Sequence, residues 1–474
     1  MDLSIGEIAR ACGGRLFRGG QEYPEDFCVD SVVLDSRKVT AGGVFVATVG
    51  ERVDGHQFIP QVFAAGAALV VTEKSPEQVE AQCDVPAGEW GSYVLVESSF
   101  QALKDIAKYY RAKLEIPVVG ITGSVGKTST KEFIAGVLAE KYKVLKTEGN
   151  YNNEVGVPLT LLRIRGEHEV AVVEMGISDF GEMHRLSEMV KPDICVITNI
   201  GQCHLENLKS REGILKAKTE IFDFMAEDGE VCLNGEDDML RTVTQVRGKA
   251  THFFGLGGYG GEEVYADNIV SKGLWGSGAL IHMESGSFPV EIPLPGRHMV
   301  LNAAAAACVA GLLHLNEIQI REGLGKLEAV GGRNRLLRLT DYTVIDDCYN
   351  ANPVSMRAAL DLLAMADTYR VAILGDMFEL GEDSDAMHTR TGEYAAASGA
   401  DCIICVGENS RHMYEGVLGT EHRKVLYFAD RQNLLDTLKE QKKTLLPSGC
   451  TVLVKASHGM NFAEVVEYLK EASW

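Results

Sequence analysis

The run Gly123-Ser124-Val125-Gly126-Lys127-Thr128-Ser129-Thr130 carries the sharpest chemistry in the sequence. Glycines let backbone N–H groups close on phosphate oxygens, a lysine neutralises them, and a following hydroxyl reaches magnesium. The apolar run Val118-Val119-Gly120-Ile121-Thr122 before it reads as a buried strand, and Thr128–Lys141 after it as an amphipathic helix. That order is the setting a phosphate loop needs. The eight-residue Walker pattern is not met in full, because Ile121 stands where its first glycine belongs. The loop is therefore a variant, and ATP is the expected ligand of Gly123, Ser124, Val125, Gly126, Lys127, Thr128 and Ser129.

In sheets of this kind ligands gather at the carboxyl ends of the strands. Glu174 closes the strand Val170–Glu174, and Asn199 and His204 follow Ile194–Thr198. A carboxylate and an imidazole there could hold a divalent cation bridging ATP phosphates. The plainer alternatives are a helix cap and a hydrogen-bonded loop histidine. Lys216 and Lys218 precede Ile221-Phe222 on an expected helix and, taken alone, read as a solvated face. Asn150, Asn152 and Asn153 surround Tyr151 in a loop. They are either turn chemistry or a surface that recognises carbohydrate or peptide. Farther on, Asp346-Asp347 end a strand and lead into Tyr349-Asn350-Ala351-Asn352-Pro353. An aspartate there accepts from ribose hydroxyls, or else serves the helix that Asn352-Pro353 starts. Cys402 and Cys405 lie within one apolar run, where strand alternation sends them to opposite faces, so a shared metal or disulfide is not expected.

The elements that must position these groups follow from periodicity. Ser4 and Glu7 make a capping box for a first helix whose face is Ile5, Ile8, Ala9 and Cys12, ended by Gly13-Gly14. Val44–Ala47, Leu69–Thr72 and Tyr93–Val96 read as strands, and Phe100–Lys113 as the helix leading out of a first domain. Strands then alternate with helices as far as Gly331, which predicts a mostly parallel sheet with helices on its faces. The glycine-rich stretch Phe254–Ser287 reads as hairpins inserted into that domain. Beyond the hinge Gly331-Gly332, Thr343–Asp347, Val371–Leu374, Cys402–Val406 and Thr451–Lys455 form a Rossmann-like series. The expectation is an α/β chain of three domains, at 1–113, 114–331 and 332–474.

Bulk properties agree. The 474 residues carry 46 basic and 67 acidic side chains, a net charge of −21, with 46% hydrophobic and 24% charged residues. That balance supports large cores and excludes a disordered chain. It also argues against nucleic acid as a partner, since the overall field repels phosphate backbones. The eleven scattered cysteines suit a reducing cytoplasm. Met1-Asp2-Leu3-Ser4 is not a signal peptide, and Ala303 to Leu313 is too short to span a membrane. Without an a/d heptad, a monomer is expected.

Taken in order, the motifs resemble the Mur ligases, the ATP-dependent amino-acid ligases of peptidoglycan synthesis, over essentially the whole chain. The residues carrying this are Asp35-Ser36-Arg37, Gly50 through Asp54-Gly55-His56, the phosphate loop with Lys131-Glu132, and Gly149-Asn150-Tyr151-Asn152-Asn153. Glu174-Met175-Gly176, Thr198-Asn199-Ile200-Gly201 with His204, and Lys218-Thr219-Glu220-Ile221-Phe222 continue the set. Asp346 through Pro353 and Leu374-Gly375-Asp376-Met377-Phe378-Glu379-Leu380-Gly381 complete it, and these two match the dipeptide-adding branch.

The resemblance implies a UDP-N-acetylmuramoyl tripeptide and D-alanyl-D-alanine as substrates, with ATP and Mg2+. Domain 1–113 would bind the UDP end, 114–331 ATP, and 332–474 the incoming dipeptide. Lys127 would hold phosphates, with Thr128 and Glu174 on magnesium and His204 at a second magnesium. Lys218 matches the lysine that the family carbamylates, which makes it a carboxylate-like metal ligand. Asn302 would lie near adenine, Asp347 near ribose, and Arg333 would reach the γ-phosphate. Ser36 and Arg37 match the uridine-diphosphate end, and Asn150, Asn152 and Asn153 the muramoyl-peptide entry. Asn350, Asn352, Lys455 and Ser457 fall where the dipeptide is expected. Three places depart from the family pattern: Lys455-Ala456-Ser457-His458 for Lys-Gly-Ser-Arg, Asn461-Phe462-Ala463 where a glutamate is usual, and Met299 for asparagine. The loop alone would also fit a regulatory ATPase, and the shared motifs a sister ligase adding another amino acid.

Overall fold

The fold comes from a computed structural model that describes residues 1–18, 23–50, 53–83, 91–257, 260–328, 335–422 and 424–471. The chain divides into two compact units. One holds Met1–Thr122, Lys141–Val196 and Ala217–Val231, the other Gly123–Glu140, Ile197–Lys216 and Cys232–Trp474.

In the first unit the expected capping box forms. Ser4 accepts from the Glu7 N–H, Glu7 reaches back to the Ser4 N–H, and the helix Ile5–Ala11 follows. Five strands lie side by side in the order Arg15–Phe17, Ser92–Leu95, Leu69–Thr72, Val44–Val46, Val32–Val33. Only the first pair is antiparallel. Phe45, Ile59, Val62, Phe63, Val70 and Tyr93 fill the core against one face. The same unit carries Val118–Thr122, Val170–Glu174 and Val144–Lys146, with Ile194–Val196 of the strand Ile194–Ile197 beside Val118–Thr122. Val118 stands opposite Ala171 and Ile121 opposite Glu174 in a parallel ladder. Every residue of Val118–Thr122 and Val170–Glu174 is buried, which is why these stretches read as unbroken apolar runs.

The second unit opens with the loop and the helix Lys127–Leu138. Cys232–Asn234 pair in parallel with His252–Phe254, and Phe254 with Val264. Val264–Ser271, Ser277–Met283 and Gly286–Ile292 then form an antiparallel meander, as the hairpin reading of Phe254–Ser287 expected. The last sheet has the order Arg335–Arg338, Thr343–Asp346, Thr451–Lys455, Arg370–Gly375, Cys402–Val406, Val425–Phe428, parallel except at its first strand. Its two faces are buried in separate cores. Val344, Ile373, Cys402, Ile404 and Val452 pack with Leu434, Leu438 and Val465, while Ile345, Leu374, Cys405 and Leu453 pack with Met356, Leu360 and Met413. Cys402 and Cys405 thus stand on opposite faces, as strand alternation predicts. One residue of the second core comes from the meander: Leu274, on the turn Gly273–Trp275. Beside it the Arg338 guanidinium lies 3.3 Å from the centroid of the Trp275 ring. Burying a leucine of this size contributes about 2 kcal/mol.

Candidate active site

The phosphate loop is built by glycines at two positions that other residues would not tolerate. Gly126, at φ +84°, caps the helix Lys127–Leu138, and a Cβ on Gly123, at φ +149°, would stand 1.9 Å from Thr198 Oγ1. Lys127 curls over the loop, its Nζ donating to Gly123 O at 2.7 Å and to Ser124 O at 3.4 Å. Ser124 and Thr128 are buried, Thr128 on the first turn of the helix, while Val125 and Ser129 are half-buried.

Residues after the strand Ile194–Ile197 hold this loop in shape. The Asn199 side chain grips Val125 from both sides: Oδ1 accepts the Val125 N–H and Nδ2 donates to Val125 O, each at 2.9 Å. Thr198 Oγ1 donates to the same carbonyl at 2.6 Å, the Ser124 N–H donates to Asn199 O, and the Gly201 N–H donates to Ser124 Oγ. Behind them Asn234 donates to Thr198 O and Asp237 accepts the Ile200 N–H. The motif Thr198-Asn199-Ile200-Gly201 is legible in the sequence, but the clasping work of Thr198 and Asn199 is not. Asn302, buried on the helix Arg297–Leu312, accepts from Thr130 Oγ1 at 3.0 Å, which fastens it to the helix behind the loop.

His204 lies at φ +50° before the short helix Leu205–Leu208. Its Nδ1 stands 3.1 Å from Oε2 of Glu379, which itself sits at φ +61°. Glu379 follows a firmly held stretch. Asp376 Oδ1 accepts from the N–H and hydroxyl of Ser410, the Met377 N–H donates to His388 Nε2, and the Phe378 N–H donates to Ser457 Oγ. His388 is buried, its Nδ1 is 2.8 Å from Ser384 O, and burial lowers its pKa. It therefore holds the neutral Nδ1–H form. Ser457 Oγ also faces Ala351 O at 3.4 Å, so this hydroxyl joins two motif loops.

Lys455 and Asp347 are both buried and paired at 2.5 Å, and Lys455 also donates to Asn350 O at 3.0 Å. Nearby, burial holds His298 below the ordinary imidazole value; Asp347 opposes that shift and Lys455 reinforces it. Asn352 is the N-cap of the helix Pro353–Ala364 in a reciprocal box with Ser355, so the helix-start alternative describes it. Asn350 is exposed, with its Oδ1 on the Ala351 N–H.

Glu174, Asn150, Asn152, Asn153, Lys218, Ser36 and Arg37 belong to the first unit. Glu174 is 1% exposed at the end of its strand; its N–H donates to Thr147 Oγ1 and its Oε1 accepts from Asn152 Nδ2 at 2.9 Å. Asn153 makes a turn, its Oδ1 accepting from the N–H groups of Val155 and Gly156. Asn150 is exposed. Of the two readings of this amide cluster, turn chemistry describes Asn153, and Asn152 anchors a carboxylate. Lys218, on the helix Arg211–Thr219, is 1% exposed whereas Lys216 is exposed. A solvated face, the reading of these two lysines taken alone, fits Lys216 only. Ser36 is half-buried on the turn Ser36–Lys38, and the exposed Arg37 guanidinium forks onto Asp35. That hydrogen bond to Arg37 holds Asp35 at about 2, well below the usual carboxylate range. Arg333 lies outside the described residues.

Magnesium suits these donors one by one: a hydroxyl on Thr128 and a buried carboxylate on Glu174 are hard oxygen ligands. No cluster of three or more His, Cys, Asp or Glu that could hold a metal occurs among the described residues. Magnesium carried on a nucleotide needs only one or two protein carboxylates, the rest coming from phosphates and water.

Three family models match in succession: the Mur ligase family catalytic domain over 29–117, the Mur ligase middle domain over 121–310, and the Mur ligase glutamate ligase domain over 332–458. A UDP-N-acetylmuramoyl-tripeptide–D-alanyl-D-alanine ligase of Bacillus subtilis is 35% identical, covering 94% of both chains. The protein of that name from Escherichia coli is 35% identical over 95% of this chain and 96% of its own. Among solved structures, MurF from Acinetobacter baumannii superposes with a TM-score of 0.86 at 30% identity and 99% coverage of both chains. MurF ligase from Thermotoga maritima in complex with ADP gives 0.79 at 28% identity, covering 94% of this chain and 99% of that one. With this likeness running through all three segments, the chain belongs to the Mur ligase family.

Proposed function

We propose that this chain joins D-alanyl-D-alanine to the peptide carboxylate of a UDP-N-acetylmuramoyl tripeptide, converting ATP to ADP and phosphate and making the pentapeptide precursor of peptidoglycan. The carrying observation is near-full-length identity of 35% to ligases of that name. No helix among the described residues is long and apolar enough to cross a membrane, and we place the work in the cytoplasm, by a monomer.

A peptide carboxylate is a poor electrophile. Its attack on the γ-phosphate gives an acyl phosphate, from which phosphate leaves when the dipeptide amine attacks the carbonyl carbon. The chain's task is to hold charge and exclude water while this happens. Lys127 and the N–H groups of Gly123 to Ser129 take the phosphates, held in register by the Asn199 clasp. Mg2+, when bound, offsets the charge that builds during phosphoryl transfer; Thr128, Glu174, His204 and a carbamylated Lys218 are the residues assigned to it. Asn152 fixes the Glu174 carboxylate, Asn302 serves adenine, and Asp347 serves ribose beside Lys455. Arg333 is assigned to the γ-phosphate. Ser36 and Arg37 hold the UDP end, Asn150 and Asn153 shape the peptide entry, and Asn350, Asn352 and Ser457 shape the dipeptide side. We take 1–113, 114–331 and 332–474 as the three domains.

The test is phosphate release with each substrate in turn omitted. Release should require both the UDP-muramoyl tripeptide and D-alanyl-D-alanine, and release that continues without either one sinks the reading.

A further inference from the structure

The strap Thr198–Gly201, which grips the phosphate loop, is itself gripped by a second set of residues. To the loop it gives the Asn199 side chain, Thr198 Oγ1, Asn199 O and the Gly201 N–H, which hold Val125 and Ser124. Other backbone groups of the strap bond elsewhere. Asn234 Nδ2 donates to Thr198 O at 2.8 Å, and the Ile200 N–H donates to Asp237 Oδ2 at 2.8 Å. Arg211, the first residue of the helix Arg211–Thr219, donates from Nε to Ile200 O at 2.9 Å. Its two terminal nitrogens fork onto Asp238, the chain neighbour of Asp237. Ile200, 1% exposed, is thus held at both its N–H and its carbonyl. Asp237 is the more enclosed partner, its side chain 8% exposed against 34% for Arg211. Its other oxygen, Oδ1, accepts from the N–H groups of Met239 and Leu240 at 3.0 Å each. An enclosed carboxylate acceptor is worth more than a bond that water can replace.

We propose that Asp237 and Arg211 are positioning residues for the ATP phosphates, acting through the Ile200 backbone and the Asn199 clasp. Asn199 and Gly201 flank Ile200 in the chain. A shift of this one residue therefore moves the groups that hold Val125 and Ser124, and with them the N–H groups offered to phosphate. Neither Asp237 nor Arg211 lies in the phosphate loop or in the motifs around it. Small displacements of such supports are felt at a site that works by position.

This rests on the ATP-binding part of the ligase reading. Asp237→Asn is the selective variant: its one carbonyl oxygen can serve Met239 and Leu240, which leaves an amide N–H facing the Ile200 N–H. In the full chain, titration calorimetry with a non-hydrolysable ATP analogue should show affinity falling about five- to tenfold. In the Asn199→Ala background the same substitution should cost less than about twofold, because the route through Asn199 is already cut. Arg211→Met, at a half-exposed position, should cost about threefold, and Arg211→Lys, which still donates to Ile200 O, less. Circular dichroism confirms the fold, and Arg211→Met carries the same cycle should Asp237→Asn unfold. Steady-state phosphate release should show a raised KM for ATP and unchanged KM values for the UDP-muramoyl tripeptide and D-alanyl-D-alanine. Folded variants within about twofold of wild type, equal losses in both backgrounds, or KM values raised alike for all three substrates would overturn the inference. Coupled losses in a chain that binds the analogue, yet releases no phosphate from ATP with both substrates present, would refute the ligase reading and leave this inference standing.

Discussion

Replacing Asn199 should expose how far the phosphate loop depends on its clasp. Asn199→Ala removes two hydrogen bonds to Val125, each 2.9 Å long. Their net worth is about 0.5–1.5 kcal/mol apiece, or roughly 1–3 kcal/mol together. The loss is not symmetric. Val125 O keeps the Thr198 hydroxyl at 2.6 Å, whereas the bond from the Val125 N–H to Oδ1 is removed outright. The expected effect therefore sits toward the lower end, near 1.4 kcal/mol, which is about tenfold in ATP affinity. Asn199→Asp sharpens the test. It keeps an acceptor for the Val125 N–H, but it turns a second carboxylate oxygen on Val125 O and adds negative charge beneath an anion-binding loop. Aspartate should thus be worse than alanine, although it is nearer to asparagine in shape. Titration calorimetry with ATP or a non-hydrolysable analogue reads both, with circular dichroism confirming the fold. Alanine within twofold of wild type, or aspartate binding as well as wild type, refutes the reasoning.

Two further outcomes follow from buried or paired charges. If Lys218 works as a carbamate, Lys218→Ala should lose ligation and regain part of it with short carboxylic acids, read by phosphate release; a fully active alanine variant contradicts the role. Glu7 is held at about 2, chiefly by its hydrogen bond to Lys113, against an ordinary value of 4.5. A carboxylate with a depressed folded-state pKa stabilises above its unfolded value and loses that contribution as pH falls. Glu7→Gln can keep the capping bond from the Ser4 N–H but loses the charge and the acceptor that Lys113 and Tyr109 share, so its melting temperature should lie below wild type at pH 7. The gap should shrink below about pH 4.5 and reach its floor only as the pH falls through about 2; a gap that does not narrow over this range removes the Lys113 explanation.

Much of the scaffold was legible because burial writes itself into local patterns. Leu69–Thr72, Val118–Thr122, Val170–Glu174, Cys402–Val406 and Thr451–Lys455 fall where their apolar runs predict. Short strands such as Val32–Val33, Val144–Lys146 and Val425–Phe428 escaped, because they lie at sheet edges and are too brief or too exposed to show a period. The phosphate loop was readable because its chemistry is local. The work of Asn199 was not, because its partner stands 74 residues earlier and an asparagine after a strand carries no signature of what it grips. Lys218 shows the same limit from the other side: helical spacing does not tell a solvated lysine from one that the fold encloses. The Lys455–Asp347 pair spans 108 residues and was equally invisible.

The turn that carries Leu274 bears on how such enzymes are taken apart and recombined. The family-model match to the last segment begins at 332, and a cut there would follow the sequence boundary. It would also strand Leu274, which fills the core around Ile345, Met356 and Leu374, and would strip the Trp275 ring from Arg338. The modular unit for grafting is therefore discontinuous: a chimera that exchanges the C-terminal segment must bring Gly273–Trp275 with it, or redesign the hollow that this turn leaves behind.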